Sequence, residues 1–278
     1  MRQSGLISFA LVAPALLILA ALFLYPLGLS LVTAFVDQTG AWTVGNFAKA
    51  WEFYWRDILF TGVIVGLSTL LVGLAAVAIG GYLVLGENPR AVAVLRWLYR
   101  WPLFIPFVVA GQLMRTFLAK NGMMNNTLVG LGLLEPLQAQ SFLDWRGIVV
   151  TFVWKQTPFV ALLVSGAMAS LDRATIEAAR NLGAGRLRVL VEIVLPQVRQ
   201  TLAVGLILSF VTMMSVLSVP LMINAQSPTM LTVDMAFRIN AYGDYGVANA
   251  LGFISYLMTG VVAWIYLRQG VRERGGRP

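Results

Sequence analysis

The residues that could do chemistry in this chain of 278 residues lie in two polar stretches, one between long apolar segments and one inside such a segment. One runs from Glu177 to Pro196 and is rich in arginine, and the other is residues 155–158, Lys-Gln-Thr-Pro. Both offer charges and hydrogen bonds. The chain has no histidine and no cysteine, which excludes imidazole and thiolate catalysis, soft-metal sites and His-based triads. These residues are therefore suited to recognising charge and to contacting a partner.

The first stretch predicts two short helices joined by a glycine turn. Asp172 can cap a helix over residues 173–182, and Gly183 stands where the chain reverses in the left-handed conformation. A second helix is predicted over residues 186–194. Pro196 can then begin the next helix, because a first turn does not need its missing N–H. The prediction is a compact helix–turn–helix joined to the following apolar segment.

Charged and apolar residues are predicted to separate on the first of these helices. Glu177 lies four residues after Arg173 and three before Arg180, so either arginine can pair with it. The opposite face is apolar and comprises Ile176, Ala179 and Leu182. We therefore expect a helix that buries its apolar face and displays paired charges.

Composition indicates that the elements positioning these stretches cross a membrane. The chain is 59% hydrophobic and 12% charged, with a mean hydropathy of +0.79. A soluble chain carries about twice that share of charge. A ~30 Å hydrocarbon core requires about 20 residues of helix. The sequence therefore predicts an all-α membrane protein with six transmembrane helices, at about residues 6–35, 58–85, 93–118, 147–170, 201–223 and 246–267.

The first apolar segment begins close to the N-terminus and could be taken for a signal peptide. It is longer than a signal peptide requires, and it contains Pro14 and Pro26. No cleavage pattern followed by a soluble domain is visible. We interpret it as a retained span.

Basic residues are distributed unequally between the two sides of the membrane. One side carries thirteen, against five on the other. Because basic residues favour the cytoplasmic side, both termini and the loop at residues 171–200 are predicted to be cytoplasmic. The pI of about 10.2 then reflects topology and contact with anionic membrane lipid, so nucleic acid is not predicted as a partner. The thirteen are Arg2, Arg90, Arg96, Arg100, Arg173, Arg180, Arg186, Arg188, Arg199, Arg268, Arg272, Arg274 and Arg277.

The polar loop also carries a spaced motif: Glu177-Ala178-Ala179, three residues, Gly183, nine residues, then Ile193, one residue and Leu195-Pro196. At each of these positions it resembles the EAA motif of ABC-importer permeases. The resemblance implies the type I importer permease fold and a single transmembrane permease domain over residues 1–278. It also implies a coupling contact with an ATPase, made by Glu177, Ala178, Ala179, Arg180, Gly183, Ile193, Leu195 and Pro196.

The resemblance implies several partners. No P-loop pattern occurs in the chain, so ATP would be bound and hydrolysed by a separate protein, and this chain is predicted to be neither an enzyme nor a cofactor-binding protein. Two ATPase subunits, a second permease subunit (a paralogue or a second copy) and a periplasmic solute-binding protein are expected. The predicted location is the bacterial inner membrane, as a multi-pass protein.

A carrier or channel that works without ATP is the alternative function. Ion-coupled carriers usually place acidic residues or histidine inside the membrane. None of the twelve acidic residues lies in the interior of a predicted span, which argues against proton coupling.

The outer loop between the first two predicted spans contains the tryptophans Trp42, Trp51 and Trp55. Tryptophans at such a position are typical of an aromatic belt at the membrane interface. A landing surface for the external binding protein is the alternative interpretation.

Polar residues within the predicted spans could line a translocation path. Lys155 either extends its amine towards the outer surface or faces a water-filled path. Pro158 predicts a kink in the same helix. Hydroxyl residues every three positions in the fifth span indicate either close helix packing or a polar path. The candidate path residues are Lys155, Gln156, Ser209, Thr212 and Ser215.

The transported solute is predicted only as a class. A lysine within the predicted spans, with no acid there, favours an anionic or neutral small solute. Residues 181–184, Asn-Leu-Gly-Ala, resemble the branch that imports phosphonate, sulfate, polyamines or iron, which we favour from sequence. Residues 245–248, Tyr-Gly-Val-Ala, resemble the sugar-importing branch, which ranks next.

Overall fold

A computed structural model describes the backbone of residues 2–37 and 39–275, and the side chains of residues 11–37, 39–265 and 268. Within these ranges the regular structure is helical, apart from one isolated bridge between Val36 and Trp42, and loops connect the helices. The helices are α1 (Arg2–Leu19), α2 (Tyr25–Ala34), α3 (Gly45–Leu85), α4 (Pro89–Leu98), α5 (Phe107–Leu118), α6 (Met123–Gly130), α7 (Trp145–Ala169), α8 (Arg173–Asn181), α9 (Arg186–Val189), α10 (Leu195–Ser215), α11 (Ser218–Ile223), α12 (Leu231–Tyr242) and α13 (Tyr245–Gly275).

Four short segments of tighter or wider helix complete the helical part of the described chain. Ala20–Leu24 joins α1 to α2 and Leu190–Val194 joins α9 to α10, both as π-helix. The segments Trp101–Phe104 and Pro136–Gln138 are 3₁₀-helices. Arg2, Arg272, Arg274 and Arg277, which contributed to the predicted orientation, lie outside the described side chains.

The predicted all-α membrane architecture is confirmed. Five of the described helical segments are long and apolar enough to cross a membrane, and a sixth is added if one sharply bent pair counts as a span. Helix α7 coincides with the predicted fourth span to within about two residues. Helix α3 begins at Gly45, thirteen residues before the predicted second span, and α10 ends at Ser215, eight residues before the predicted end of the fifth.

The predicted third span is not one continuous helix. It consists of α4, a 3₁₀ turn at Trp101–Phe104 and α5, with a bend of 108° between the two halves. Pro102 and Pro106 explain the break, because neither supplies a backbone N–H to continue an α-helix and each disfavours helix in the residue before it. The break leaves backbone carbonyls beside it without helical partners.

The chain divides into two compact units, of which the first comprises residues 1–56 and 234–256. Asn46 organises it, since its amide donates to the carbonyls of Ala34 and Val36 at 3.0 and 2.9 Å. Ser30 donates to the amide oxygen of Asn249 at 2.6 Å. These bonds connect the end of α2, the start of α3 and the start of α13.

The second unit comprises residues 57–233 and 257–278 and holds two apolar clusters of buried residues. One joins α3, α7, α8 and α10, and includes Val160, Val164 and Met168. The other lies around Phe152 and includes Met213 and Met214. Helices α7 and α10 approach closely at Gly205, where a Cβ would lie 3.3 Å from a Val160 methyl.

A buried carboxyl group fastens the segment before α12 to α3 within this second unit. Asp57 is 2% exposed and accepts hydrogen bonds from the Thr229 N–H at 2.6 Å and the Ser227 hydroxyl at 3.2 Å. One turn later, the Thr61 hydroxyl oxygen accepts from the Leu231 N–H at 3.0 Å. Donors that a buried segment would otherwise leave unsatisfied are therefore paired.

Helix α7 begins at a charged cap. The Asp144 carboxylate accepts from the Arg146 N–H at 2.8 Å, and the Arg146 guanidinium donates to the same carboxylate. The side-chain hydrogen bond from Arg146 is the largest cause that lowers the pKa of Asp144 below its ordinary value. The cap sets the point at which α7 starts.

Candidate functional site

The loop at residues 171–200 begins with a capped helix that ends in a glycine turn, as predicted. The Asp172 carboxylate accepts from the Ala174 N–H at 2.9 Å, and α8 follows. At the end of α8, Gly183 has a φ of +84°. The Gly183 N–H donates to the Arg180 carbonyl at 2.9 Å, and the next N–H, of Ala184, donates to the Ala179 carbonyl at 3.0 Å. This pair of bonds is the Schellman arrangement.

The second half of the loop is continuous with the fifth span, and the predicted separate helix at 186–194 is corrected. Helix α9, the π segment Leu190–Val194 and α10 follow one another without a break, so residues 186–215 form one helical element. Pro196 lies near the start of α10, but it does not begin a separate helix as predicted, because the helical element is unbroken there. Ile193 and Leu195 are half-buried and Pro196 is exposed.

The faces of α8 differ in part from those predicted. Ile176 is buried and Ala179 packs against the same apolar cluster. Leu182, which was predicted to be buried with them, is 89% exposed. It follows the last helical residue, where the chain turns away from the helix axis, so helical periodicity no longer positions it. Glu177 and Ala178 are exposed.

The predicted pairing of Glu177 with Arg173 and Arg180 is wrong. Within the described residues the Glu177 carboxylate has no hydrogen bond or ion pair. The Arg180 guanidinium instead donates to the Leu85 carbonyl at 3.0 Å, at the end of α3. A carbonyl in the last turn of a helix lacks an intrahelical donor, so it competes effectively with an exposed carboxylate for the arginine. Glu177 is therefore available to a partner.

The loop also forms an ion pair that sequence reasoning missed. Arg186, just after the glycine turn, pairs with Glu87, just after α3. The two residues are 99 positions apart, so no local spacing rule could indicate the contact. Arg188, by contrast, pairs with Glu192 four residues later at 2.9 Å, which is a spacing that sequence rules do recognise.

Lys155, the first candidate path residue, is buried at 6% exposure and does not extend to the surface. Its amine donates to the Leu103 carbonyl at 3.2 Å and lies 5.1 Å from the centre of the Phe107 ring. Leu103 belongs to the 3₁₀ turn before the break of the third span, so the amine supplies a donor that the broken helix lacks. Gln156, also buried, donates to the Ser209 carbonyl at 3.4 Å.

The hydroxyl residues of α10 do not share one environment. Ser209 is fully buried, Thr212 is half-buried and Ser215 is exposed. Thr212 and Ser215 donate back to carbonyls four residues earlier, at 2.7 and 2.8 Å. Within the described chain, the buried hydroxyls of Ser209 and Thr157 have no hydrogen-bond partner. The role of the five candidate residues in a path stays a prediction.

Curated proteins similar to this chain are transport permeases. The sulfoquinovosyl glycerol transport system permease protein of Agrobacterium fabrum is 27% identical over 95% of this chain and 90% of its own length. The trehalose/maltose transport system permease protein of Thermococcus litoralis is 27% identical over 79% of this chain and 74% of its own. A putative 2-aminoethylphosphonate transport system permease protein of Salmonella typhimurium is 24% identical over 88% of this chain and 86% of its own length.

The fold and a family model agree with these relatives. A bacterial ABC transporter that imports the acidic polysaccharide alginate superposes with a TM-score of 0.78 over 97% of this chain and 96% of its own, at 21% identity. The family model for binding-protein-dependent transport system inner membrane components matches residues 74–270, which include the whole 171–200 loop. This chain therefore belongs to the binding-protein-dependent transport system inner membrane components, the permease proteins of ABC transport systems.

Proposed function

We propose that this chain forms one half of a solute path through the bacterial inner membrane and is driven by ATPase subunits that dock on the 171–200 loop. The observation that carries the proposal is the exposed, unpaired Glu177 on a capped helix whose turn leads directly into the residue 186–215 element. A contact at Glu177 or Leu182 would act on a stiff structure that continues into the fifth span. Family membership supports the same role.

The remaining components follow from this role. Two ATPase subunits bind ATP, a second permease subunit completes the path, and a periplasmic binding protein delivers the solute. Both termini and the loop are then cytoplasmic, in agreement with the excess of basic residues on that side. This chain itself transports and does not hydrolyse ATP.

A single-thiol experiment tests the coupling contact. The chain has no cysteine, so Glu177→Cys introduces the only thiol. In a reconstituted complex, a short bifunctional reagent is expected to cross-link this thiol to the ATPase. Trp42→Cys, in an exposed loop predicted to lie outside, serves as the control and is expected to yield no ATPase cross-link.

Two results would contradict the proposal. One is an ATPase that purifies with the complex but does not cross-link at position 177. The other is uptake by this chain alone in liposomes, driven by an ion gradient without ATP, which would establish the carrier or channel instead.

For the solute, we propose a carbohydrate-type molecule, neutral or anionic, and reverse the order that the sequence suggested. The relatives named for sulfoquinovosyl glycerol and for trehalose/maltose support the sugar branch. The 2-aminoethylphosphonate relative keeps the other branch as the second candidate. Lys155, a buried cation within α7, supplies a charge suited to an anionic solute.

Lys155→Met is expected to raise the KM for an anionic solute about tenfold, with little change in the maximal rate or in the KM of a neutral analogue. The reason is that losing a binding contact made throughout transport raises KM alone. Uptake of both solutes into proteoliposomes with the binding protein measures the effect. Arg115→Met, at an exposed position on α5, is the control. Equal losses for both solutes would assign Lys155 to holding the Leu103 carbonyl instead.

A further inference from the structure

The loop contacts the end of α3 through two arginines, one on each side of the Gly183 turn. Arg180 precedes the turn and donates to the Leu85 carbonyl at 3.0 Å. Arg186 follows the turn and pairs with Glu87. Leu85 is the last residue of α3, and the carbonyls of a last turn have no intrahelical donor. The loop therefore caps α3.

Apolar packing reinforces the contact on both sides of the turn. Ile176 of α8 is buried in one cluster with Leu85. Leu190, in the π segment, lies against Gly81 of α3, where a Cβ would come within 2.7 Å of a leucine methyl. Gly81 therefore gives the leucine room to reach the α3 backbone, and a larger residue at 81 would push the two elements apart.

The two polar contacts differ in strength. The Arg186–Glu87 pair is more than half exposed, with side-chain exposures of 51% and 66%, and exposed ion pairs contribute little. The Arg180–Leu85 bond is partly buried and joins a charged donor to a carbonyl with no helical partner, which makes it the stronger of the two. Arg180 is therefore the main polar connection between the loop and α3.

This contact gives α3 a mechanical connection that the covalent chain does not provide. Helix α7 enters the loop directly and α10 leaves it directly, so both are joined to it by a few residues of backbone. Arg180 and Leu85 are 95 residues apart in the chain. Helix α3 also packs against α7 and α10 in the shared apolar cluster, and the contacts at this place add a polar connection between its end and the loop.

We infer that Arg180 is a positioning residue that transmits a displacement of the 171–200 loop to the second span, α3, through the Leu85 carbonyl. The inference rests on the proposed docking of an ATPase at the loop. On this inference, α3 moves together with α7 and α10 when the ATPase closes. This joint movement couples solute passage to ATP hydrolysis. Glu177 contacts the partner, whereas Arg180 contacts α3.

Transport stoichiometry in the reconstituted complex with binding protein tests this inference. For Arg180→Met we expect the ATPase to purify with the complex in normal amount and to remain stimulated by the binding protein, while solute transported per ATP falls about fivefold or more. Arg180→Lys keeps a charged donor, so it is expected to retain at least half of the unmutated amount of solute transported per ATP. Arg188→Met is the matched control, because Arg188 pairs only within the loop in the described structure.

A second measurement follows α3 itself and does not depend on transport. Tyr82→Cys and Leu187→Cys each place a single thiol, one on α3 and one on the loop, at exposed positions. Labelling rates are compared between nucleotide-free and ATP-trapped complexes. Both thiols are expected to change their rate, and Arg180→Met is expected to abolish the change at position 82 while the change at 187 remains. If Arg180→Met does not accumulate, Arg180→Gln replaces it.

Other results would contradict either the inference about Arg180 or the proposed function. An unchanged transport ratio, or an unchanged rate difference at position 82 in Arg180→Met, would overturn the inference. Loss of the ATPase in Arg180→Met but not in Arg188→Met would overturn it as well, because Arg180 would then contact the ATPase. An unmutated complex that neither binds nor stimulates an ATPase would refute the proposed function instead.

Discussion

Replacement of Asp57 by alanine is expected to lower the free energy of unfolding by about 3 kcal/mol, since a buried donor left unsatisfied costs ~1–3 kcal/mol and bonds to a carboxylate are at the strong end. The Thr229 N–H, 2.6 Å from the carboxyl oxygen, would lose its acceptor together with the Ser227 hydroxyl. Water cannot readily replace the carboxyl group, because Asp57 is 2% exposed.

The thermal midpoint of the purified protein in detergent measures this loss. At roughly 2–4 °C per kcal/mol for a domain of this size, the midpoint is expected to fall by about 10 °C. Asp57→Asn keeps one acceptor oxygen, so its loss of unfolding free energy should be about a third of the loss in Asp57→Ala. Glu52→Ala, an exposed acidic residue earlier on the same helix, is the control, with an expected effect below about 0.5 kcal/mol. Equal midpoints for Asp57→Ala and Glu52→Ala would contradict the prediction.

Gly183→Val is expected to reduce ATP-driven uptake at least about tenfold, while the complex still assembles. Gly183 has φ +84° and open space where a Cβ would stand, so the cost is conformational and not steric crowding. A left-handed backbone costs an ordinary residue ~1–2 kcal/mol, and a β-branched residue tolerates it least. Since 1.4 kcal/mol corresponds to about tenfold in rate, a distorted turn is sufficient for this loss.

Two variants separate the backbone effect from the loss of glycine as such. Gly183→Asn should retain uptake within about threefold, because asparagine visits the left-handed region more readily. Gly185→Ala should have almost no effect, since Gly185 has φ −66° and nothing near its Cβ position. Uptake and ATP hydrolysis are measured together in proteoliposomes. Normal uptake by Gly183→Val would show that the turn is not part of the coupling element.

Features governed by residues close together in the chain were predictable. Asp172 caps α8 and Gly183 reverses the chain in the left-handed region, both as the sequence indicated. Each depends on one residue and the backbone groups within about four positions of it. The apolar segments were predictable for a similar reason, because a span needs length and apolarity more than any particular partner.

The failures concern one choice between partners and two places where a helix ends or breaks. Arg180 could bond to Glu177 on its own helix or to the carbonyl of Leu85, 95 residues away, and it bonds to the latter. Leu182 continues the apolar spacing of α8 but follows its last residue, and is exposed. The third span contained Pro102 and Pro106, yet its apolar composition outweighed the two breaks in the prediction.

The amino-acid sequence alone was sufficient for the class of protein, the approximate positions of the membrane-spanning segments and the motif of the coupling loop, because these depend on composition and on spacing over a few turns of helix. The three-dimensional arrangement was needed to show that the loop caps α3, that Lys155 lies at the broken third span and that Asp57 holds the segment before α12. In each of these contacts a buried polar group is satisfied by a residue at least 50 positions away. Packing alone brings such residues together, and no rule of local spacing contains that information.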